Sequence, residues 1–347
     1  MKKRLLIFMS LLMLVFLAGC AGTSNIEETK PEATSEETAL NESSAEESEQ
    51  NAEPLTLTFK VGEAEKSVTV PENPERVVVI GFDLLDVMDS LELKDKIIGV
   101  VDPTGPLFPY YLEGYENVES AGNLFAEDLE SIAKLKPDLI IAGARTQKAY
   151  DGLNEIAPTV YYGIPGFGSD YKEGLHNNIR SIAQIFNKTD EGETLISNLD
   201  AKIEEVAEKV SALESAQALF LVVNGKSIGL FSDDPASRYG FVFKEFGFES
   251  LASLDEISQE AATHGDSVSF EFISAKNPDF LIVLDRSAAT ATEDIAASDT
   301  LDNELVRSTN AYKNDHIIYL DGSAWYIGTG GVRSTEIMID NIMKGIE

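Results

Sequence analysis

The 347-residue sequence predicts an α/β protein built of two similar lobes joined by a single long helix. Three observations carry that prediction. Apolar runs of strand length alternate with helically spaced segments, the pattern of parallel sheets covered by helices. A helix–Pro-Asp–strand unit occurs twice, 141 residues apart. Between the copies runs a helical repeat that no Gly or Pro interrupts after Gly192.

The N-terminal 54 residues read as attachment rather than fold. "MKKRLLIFMSLLMLVFLAGCAG" places three basic residues before about a dozen apolar ones and a small-residue ending. That layout predicts a signal peptide over residues 1–19, too short for a convincing membrane span. "LAGC" matches the bacterial lipobox, making Cys20 the expected lipidated N-terminus; stable anchoring takes more than one acyl chain. Cys20 is the sole cysteine, so an intramolecular disulfide is excluded. Residues 20–54 read as a linker, in which "NIEETKPEATSEETALNESSAEESEQNAE" holds ten Glu and one Lys. Such a stretch buries no core, and its like charges extend it into a spacer. With +3 from the leader and −9 from the linker, the net charge of −33 leaves −27 on the body from residue 54. Nucleic acid is therefore excluded as a partner, since phosphate recognition needs a basic surface.

Residues 55–188 form the first predicted lobe. "ERVVVIGFDLLDVMDSLELKDKIIGVV" reads as strand, helix, strand: Val77 to Ile80 is continuously apolar, and Leu84, Leu85, Val87, Met88 and Leu91 have helical spacing. "FAEDLESIAKLKPDLIIAG" adds a helix and a strand, and "IAPTVYYGI" another strand. Residues 189–213 are the connecting rod, with Leu195, Leu199, Ile203, Val206, Val210 and Leu213 on one stripe and Thr189 or Asp190 as cap. A helix of that length spans about 36 Å. Residues 214–347 form the second lobe. "ALFLVVNGKSIGLFS" predicts a strand pair turning at Asn224-Gly225. "YGFVFKEFGF" and "SFEFISAKN" read as helices, "DFLIVL" and "HIIYL" as strands, and "GVRSTEIMIDNIMKGI" as a closing amphipathic helix.

The repeat matches Glu130, Ile132, Pro137 and Arg145 with Glu271, Ile273, Pro278 and Arg286. Both arginines fall at the carboxyl end of a strand, where open α/β sheets gather ligands. A lone arginine there is ordinarily a structural ion pair, and Asp285 offers itself to Arg286. The matched spacing adds weight to a ligand reading beside that ordinary one. Arg238, in "DDPASRYG", is a third candidate, with Asp233 or Asp234 as its ordinary partners. "GTGGVRS" lacks the lysine and spacing of a phosphate loop and reads as a turn into the last helix. An enzyme is not expected: the sequence shows no Gly-x-Ser-x-Gly, no His-Glu-x-x-His and no clustered catalytic carboxylates with a nearby histidine. Of three histidines, His176 falls on a helix and His316 opens a strand, while His264 lies in the loop "ATHGDSVSF". A bare Mn or Zn site would need partners that His264 does not have.

The lipobox, the acidic linker, "PENPERVVVIGFDLLDVMDSLEL", the twin units and the rod together resemble substrate-binding lipoproteins of bacterial ABC importers. "GARTQ", "SRYGFVF", "THGDSVSFEFIS" and "SAWYIGTGG" resemble the ligand-cleft segments of the ferric-siderophore branch, its catecholate types above all. The resemblance covers essentially the whole chain after the linker. It implies a periplasmic-binding-protein type of fold, two Rossmann-like lobes with a rigid helical backbone, a ligand between them and small movements on closure. It implies that Arg145, Arg238 and Arg286 meet a multiply charged ferric catecholate, whose oxygen-rich edge suits guanidinium forks. Screening over about 8 Å lets local arginines act despite the acidic body. His264 and Tyr326 would complete the iron shell for a siderophore with too few donors, with Trp325 beside them on the cleft wall. Glu130 and Glu271, with Glu127 as a near alternative, would dock on an ABC permease dimer served by a cytoplasmic ATPase. The expectation is a monomer, lipid-anchored on the extracytoplasmic face, with no intrinsic cofactor and an Fe(III)-siderophore as ligand. Haem or cobalamin is the alternative cargo.

Overall fold

Strands β1 (Thr56–Val61) and β2 (Ala64–Thr69) open the fold as an antiparallel hairpin, an addition to the sequence expectations. The computed structural model describes residues 54–165, 170–234, 237–252, 266–292 and 295–347, and all that follows concerns these. Next come β3 (Val77–Ile80), α1 (Phe82–Ser90), β4 (Ile97–Val100) and three two-residue strands, β5 (Glu119–Ser120), β6 (Gly122–Asn123) and β7 (Ala126–Glu127). Helix α2 (Leu129–Leu135), β8 (Leu139–Gly143), α3 (Tyr150–Ile156), β9 (Thr159–Tyr162) and α4 (Tyr171–Ile185) follow. Strands β5-β4-β3-β8-β9, in that order, make an all-parallel sheet. Every residue of β3 and β8 is buried, which is why both read as unbroken apolar runs rather than alternating ones.

The rod is α5 (Thr189–Ser211), 23 residues, with Ile196, Leu199, Ile203, Val206 and Val210 buried along one stripe. Its N-cap is Lys188 rather than the expected Thr189 or Asp190, which both fall inside the helix.

The second half contributes β10 (Gln217–Asn224), β11 (Ser227–Phe231), α6 (Gly240–Lys244), β12 (Glu249–Ser250), β13 (Asp266–Ser267), α7 (Phe270–Lys276) and β14 (Phe280–Asp285). Four short helices follow, α8 (Arg286–Thr290), α9 (Ala297–Leu301), α10 (Glu304–Arg307) and α11 (Asn310–Lys313), then β15 (Ile317–Leu320) and α12 (Val332–Ile346). The sheet order is β13-β11-β10-β14-β15, with β12 beside the start of β10. The β10–β11 turn comprises Gly225 and Lys226, one residue beyond expectation, because Asn224 still pairs with Ser227. Gly225 takes φ +57°, the conformation a tight hairpin turn demands. Alternate residues of β10 serve two cores. Ala218, Phe220 and Val222 join the large core that runs across both sheets; Leu219, Leu221 and Val223 pack with Ile273, Leu281 and Val283 on the other face.

The sequence repeat is a repeat of structure. Helices α2 and α7 have seven residues each and are N-capped by side chains, Asp128 accepting from the Ser131 N–H and Ser269 from the Phe272 N–H. Both end on a left-handed residue, Lys136 at φ 52° and Asn277 at φ 49°, directly before the Pro-Asp pair. Asp138 then accepts from the N–H groups of Glu75 (2.8 Å) and Arg76 (3.0 Å), tying the unit to the entry of β3.

Helix α12 packs not only on β15 but also on α1 and α5, so the end of the chain returns to the first half. Asp86 of α1 accepts hydrogen bonds from the N–H groups of Arg333 (3.1 Å) and Ser334 (2.9 Å) in the first turn of α12. A carboxylate there satisfies donors that the helix leaves open. Glycine makes the approach feasible: a Cβ at Gly331 would lie 2.2 Å from Asp86 Oδ2, and one at Gly328 would lie 2.1 Å from Tyr111 Oη. "GTGG" is therefore the seam between the halves.

Candidate functional site

Each arginine of the repeat is aimed by a turn that the local sequence builds. After β8 the chain enters a 3-10 turn, Ala144–Thr146, held by Thr146 Oγ1 donating to the Gly143 carbonyl (2.8 Å). Arg145 is its central residue. After β14, Asp285 caps α8 by accepting from the Ala288 N–H (2.9 Å) and also accepts from the Ala297 N–H (2.7 Å). Its carboxylate thus serves backbone, and Arg286 leads the helix. The ion pair that the sequence offered as the ordinary reading is not formed between these two described residues.

The side chains then converge. Arg286 Nε donates to Tyr326 Oη at 2.8 Å. Arg238 Nη2 donates to the Tyr326 carbonyl at 3.0 Å, and its guanidinium carbon lies 4.5 Å from the centre of the Tyr326 ring. Such a cation–π arrangement suits a planar cation that must stay charged. Arg145 faces the same group from the first lobe, close enough to feel the charges of Arg238 and Tyr326. Desolvation lowers the Arg145 pKa, Asp83 opposes that, and Arg238 adds to it. Arginine stays charged through such a shift. For Tyr326, burial pushes the phenol up, but the Arg286 hydrogen bond and the charges of Arg286, Arg238 and Arg145 outweigh it and hold the pKa below that of an ordinary phenol.

A cavity of about 370 Å³ opens against this cluster, lined among others by Asn224, Ser227, Phe231, Arg238, Arg286 and Tyr326. That is the size of a small-ligand pocket. Its lining comes from the second half of the chain, while a narrower recess beside Arg145 belongs to the first.

Trp325 corrects one expectation. Its ring is fully buried, its Nε1 donates to Asn341 Oδ1 (3.1 Å), and it stacks on Phe241. Residues 323–327 form a π-helical turn, which sends Tyr326 toward the cavity and Trp325 into the core. The indole is worth more there, where its large apolar area leaves water and its N–H still has an acceptor. His264 lies outside the described residues. His176 bonds Asp200 (3.0 Å) and His316 stacks on Phe280. Glu130 and Glu271 are exposed in the first turns of α2 and α7. Glu127 is half-buried and lines the Arg145 recess, so it belongs to the cleft side rather than to the face of α2. Among the described residues, no three His, Cys, Asp or Glu assemble into a metal-binding group.

A family model described as periplasmic binding protein matches residues 77–324. The chain belongs to that family. The petrobactin-binding protein YclQ of Bacillus subtilis is 33% identical, covering 100% of both chains, and its crystal structure superposes with a TM-score of 0.76 over 85% of this chain and 99% of that one. The ferric-anguibactin-binding protein FatB of Vibrio anguillarum is 31% identical over 85% of this chain and 88% of its own. The periplasmic catecholate-siderophore binding protein VctP of Vibrio cholerae, 34% identical, gives a TM-score of 0.74 over 84% of this chain and 100% of that one. Sequence reasoning missed part of this periplasmic binding protein's cavity, namely Asn224, Ser227, Phe231 and Tyr239. Asn224 was within reach, because it ends β10 and strand ends are where such sheets meet ligands.

Proposed function

We propose that this protein captures a ferric siderophore, of an anionic catecholate type, in the cleft between its lobes and delivers it to an ABC permease for iron uptake. The observation that carries the reading is the convergence of three arginines on Tyr326: Arg238 and Arg286 line the main cavity with it, and Arg145, in the first-lobe recess, adds its charge. Three permanent cations in a body of charge −27 select for an anion, and guanidinium forks fit the paired oxygens of a catecholate edge. The relatives named for petrobactin, anguibactin and catecholate siderophores support the same class. Tyr326, with its lowered pKa, is suited to donate a phenolate to iron where a siderophore leaves positions open, with His264 as the second donor. The protein binds and hands over its cargo; catalysis has no part in the proposal. Cys20 would carry the lipid, residues 20–54 would tether the monomer outside the cytoplasmic membrane, and Glu130 and Glu271 would meet the permease dimer.

Trp325 serves as the reporter. Its carbonyl accepts from Tyr239 Oη, and Tyr239 lines the cavity, so an iron chelate bound there quenches the indole. Titration with ferric catecholates, a ferric hydroxamate, haem and cobalamin should give saturable quenching by the catecholates. Arg286→Ala should weaken it by about 10- to 100-fold, the worth of a charge-assisted hydrogen bond. Saturation by haem or cobalamin instead would keep the importer role and sink the arginine argument.

A further inference from the structure

The two sides of the cleft offer unlike chemistry. Opposite the arginine-rich cavity, the first lobe presents an acid. Asp83, the second residue of α1, is 6% exposed and lines the recess beside Arg145. Its Oδ2 is buried and has no hydrogen-bond partner. Glu127 of β7 lines the same recess, and Arg145 is the one cation among the described lining residues. Asp83 and Arg145 feel each other's charge, yet no ion pair within 4 Å joins these two described side chains. The free space in the recess is about 10 Å³, room for a single group the size of a water. Burial pushes the Asp83 pKa up to about 6, against the pull of Arg145, so the carboxylate is ionised at neutral pH.

A buried, ionised acceptor with nothing on one oxygen is costly unless something arrives to meet it. The local charges specify that visitor. Two acidic residues and one arginine line the recess, and an anionic chelate against the arginines would occupy Arg145 from the other side. What remains open is acceptor-rich, negative and small. We infer that the Asp83–Glu127 recess is a subsite for a protonated amine of the ligand, so that the cargo is a ferric catecholate carrying an ammonium arm. This inference rests on the ferric-catecholate reading of the main cavity. A primary ammonium has nearly the size of a water and donates where Asp83 accepts. Arginines would hold the chelate while the acids choose among chelates by their backbones.

The test uses two ferric bis-catecholates with the same linker, one bearing a short arm ending in a primary ammonium and the other an arm ending in methyl. Both are titrated against the wild-type protein, Asp83→Asn and Glu127→Gln by fluorescence quenching. The wild type should prefer the ammonium ligand by about tenfold or more. Asp83→Asn should abolish that preference by weakening the ammonium ligand, while the methyl ligand binds equally or more tightly because a negative charge beside Arg145 is gone. Glu127→Gln, at a half-buried position, should move both ligands in the same directions by less, and it keeps the test alive should Asp83→Asn fail to fold. No preference in the wild type, or equal weakening of both ligands in both variants, would overturn the subsite and leave the catecholate reading intact. If neither ligand binds the wild type, both readings fall.

Discussion

Tyr326 and Asp83 show opposite outcomes of burial at single residues. Burial alone would raise both pKa values, but three guanidinium groups reverse the effect on the phenol, whereas one leaves the carboxylate raised to about 6. Replacing Arg286 by Ala removes the hydrogen bond and the nearest charge together. The Tyr326 pKa should rise toward and past that of an ordinary phenol, which a spectrophotometric phenolate titration against the Tyr326→Phe variant reads directly. For Asp83 the linkage runs the other way. Between its unfolded value of 3.8 and its folded value of about 6, the folded state holds more protons than the unfolded state. Its contribution to stability is therefore fully present below about pH 4, declines as pH rises through 6, and stays lost above that. Asp83→Asn should be more stable than wild type at neutral pH by on the order of 3 kcal/mol, with the difference vanishing near pH 4. Denaturant melts across that range check this; a gap that widens on acidification would contradict the assignment.

Helix α12 is the element on which the joint between halves depends. Its first turn donates to Asp86 of α1, and Arg333 reaches the Asp89 carboxylate (2.5 Å) and the Tyr111 carbonyl (3.2 Å). Asp86→Ala would leave the buried Ser334 N–H and the half-buried Arg333 N–H without an acceptor, a loss of about 1–3 kcal/mol. Gly331→Val would drive a side chain into the same contact, where overpacking costs a similar amount. Both variants should melt lower than wild type, and Asp86→Ala melting unchanged would mean that the seam contributes nothing. The β1–β2 hairpin is a contrasting element. Its strands are mostly exposed or half-buried, so they carry little of the apolar signal that revealed β3 and β8.

Across the whole molecule, α5 and α12 bind the two sheets into one continuous large core. Such a frame resists wide opening, so small-angle scattering profiles of the free and iron-loaded protein should superimpose. The repeat also sets Glu130 and Glu271 on equivalent helices, each exposed in a first turn. Reversing both charges, with Glu130→Arg and Glu271→Arg, should abolish siderophore-dependent iron uptake by cells while leaving the ligand affinity of the isolated protein unchanged. Uptake at the wild-type level would refute the docking role.

What the sequence by itself determined is local in origin. Capped seven-residue helices, left-handed stops before Pro-Asp, buried strands and the arginines that follow them all depend on neighbours close along the chain. One set of rules therefore wrote the same unit twice, and Arg145 and Arg286 were legible from it. The tertiary structure alone decided the rest. Whether Trp325 or Tyr326 faces the cavity turns on a π-helical turn packed against Phe241 and Asn341. Whether Asp83 is a surface acid or a buried one depends on a recess whose other walls come from residues up to 81 positions away, at Ile164. The "GTGG" segment shows its purpose only where Tyr111 and Asp86 crowd against it. Those outcomes are set by packing between segments far apart in the chain, which periodicity and spacing do not encode.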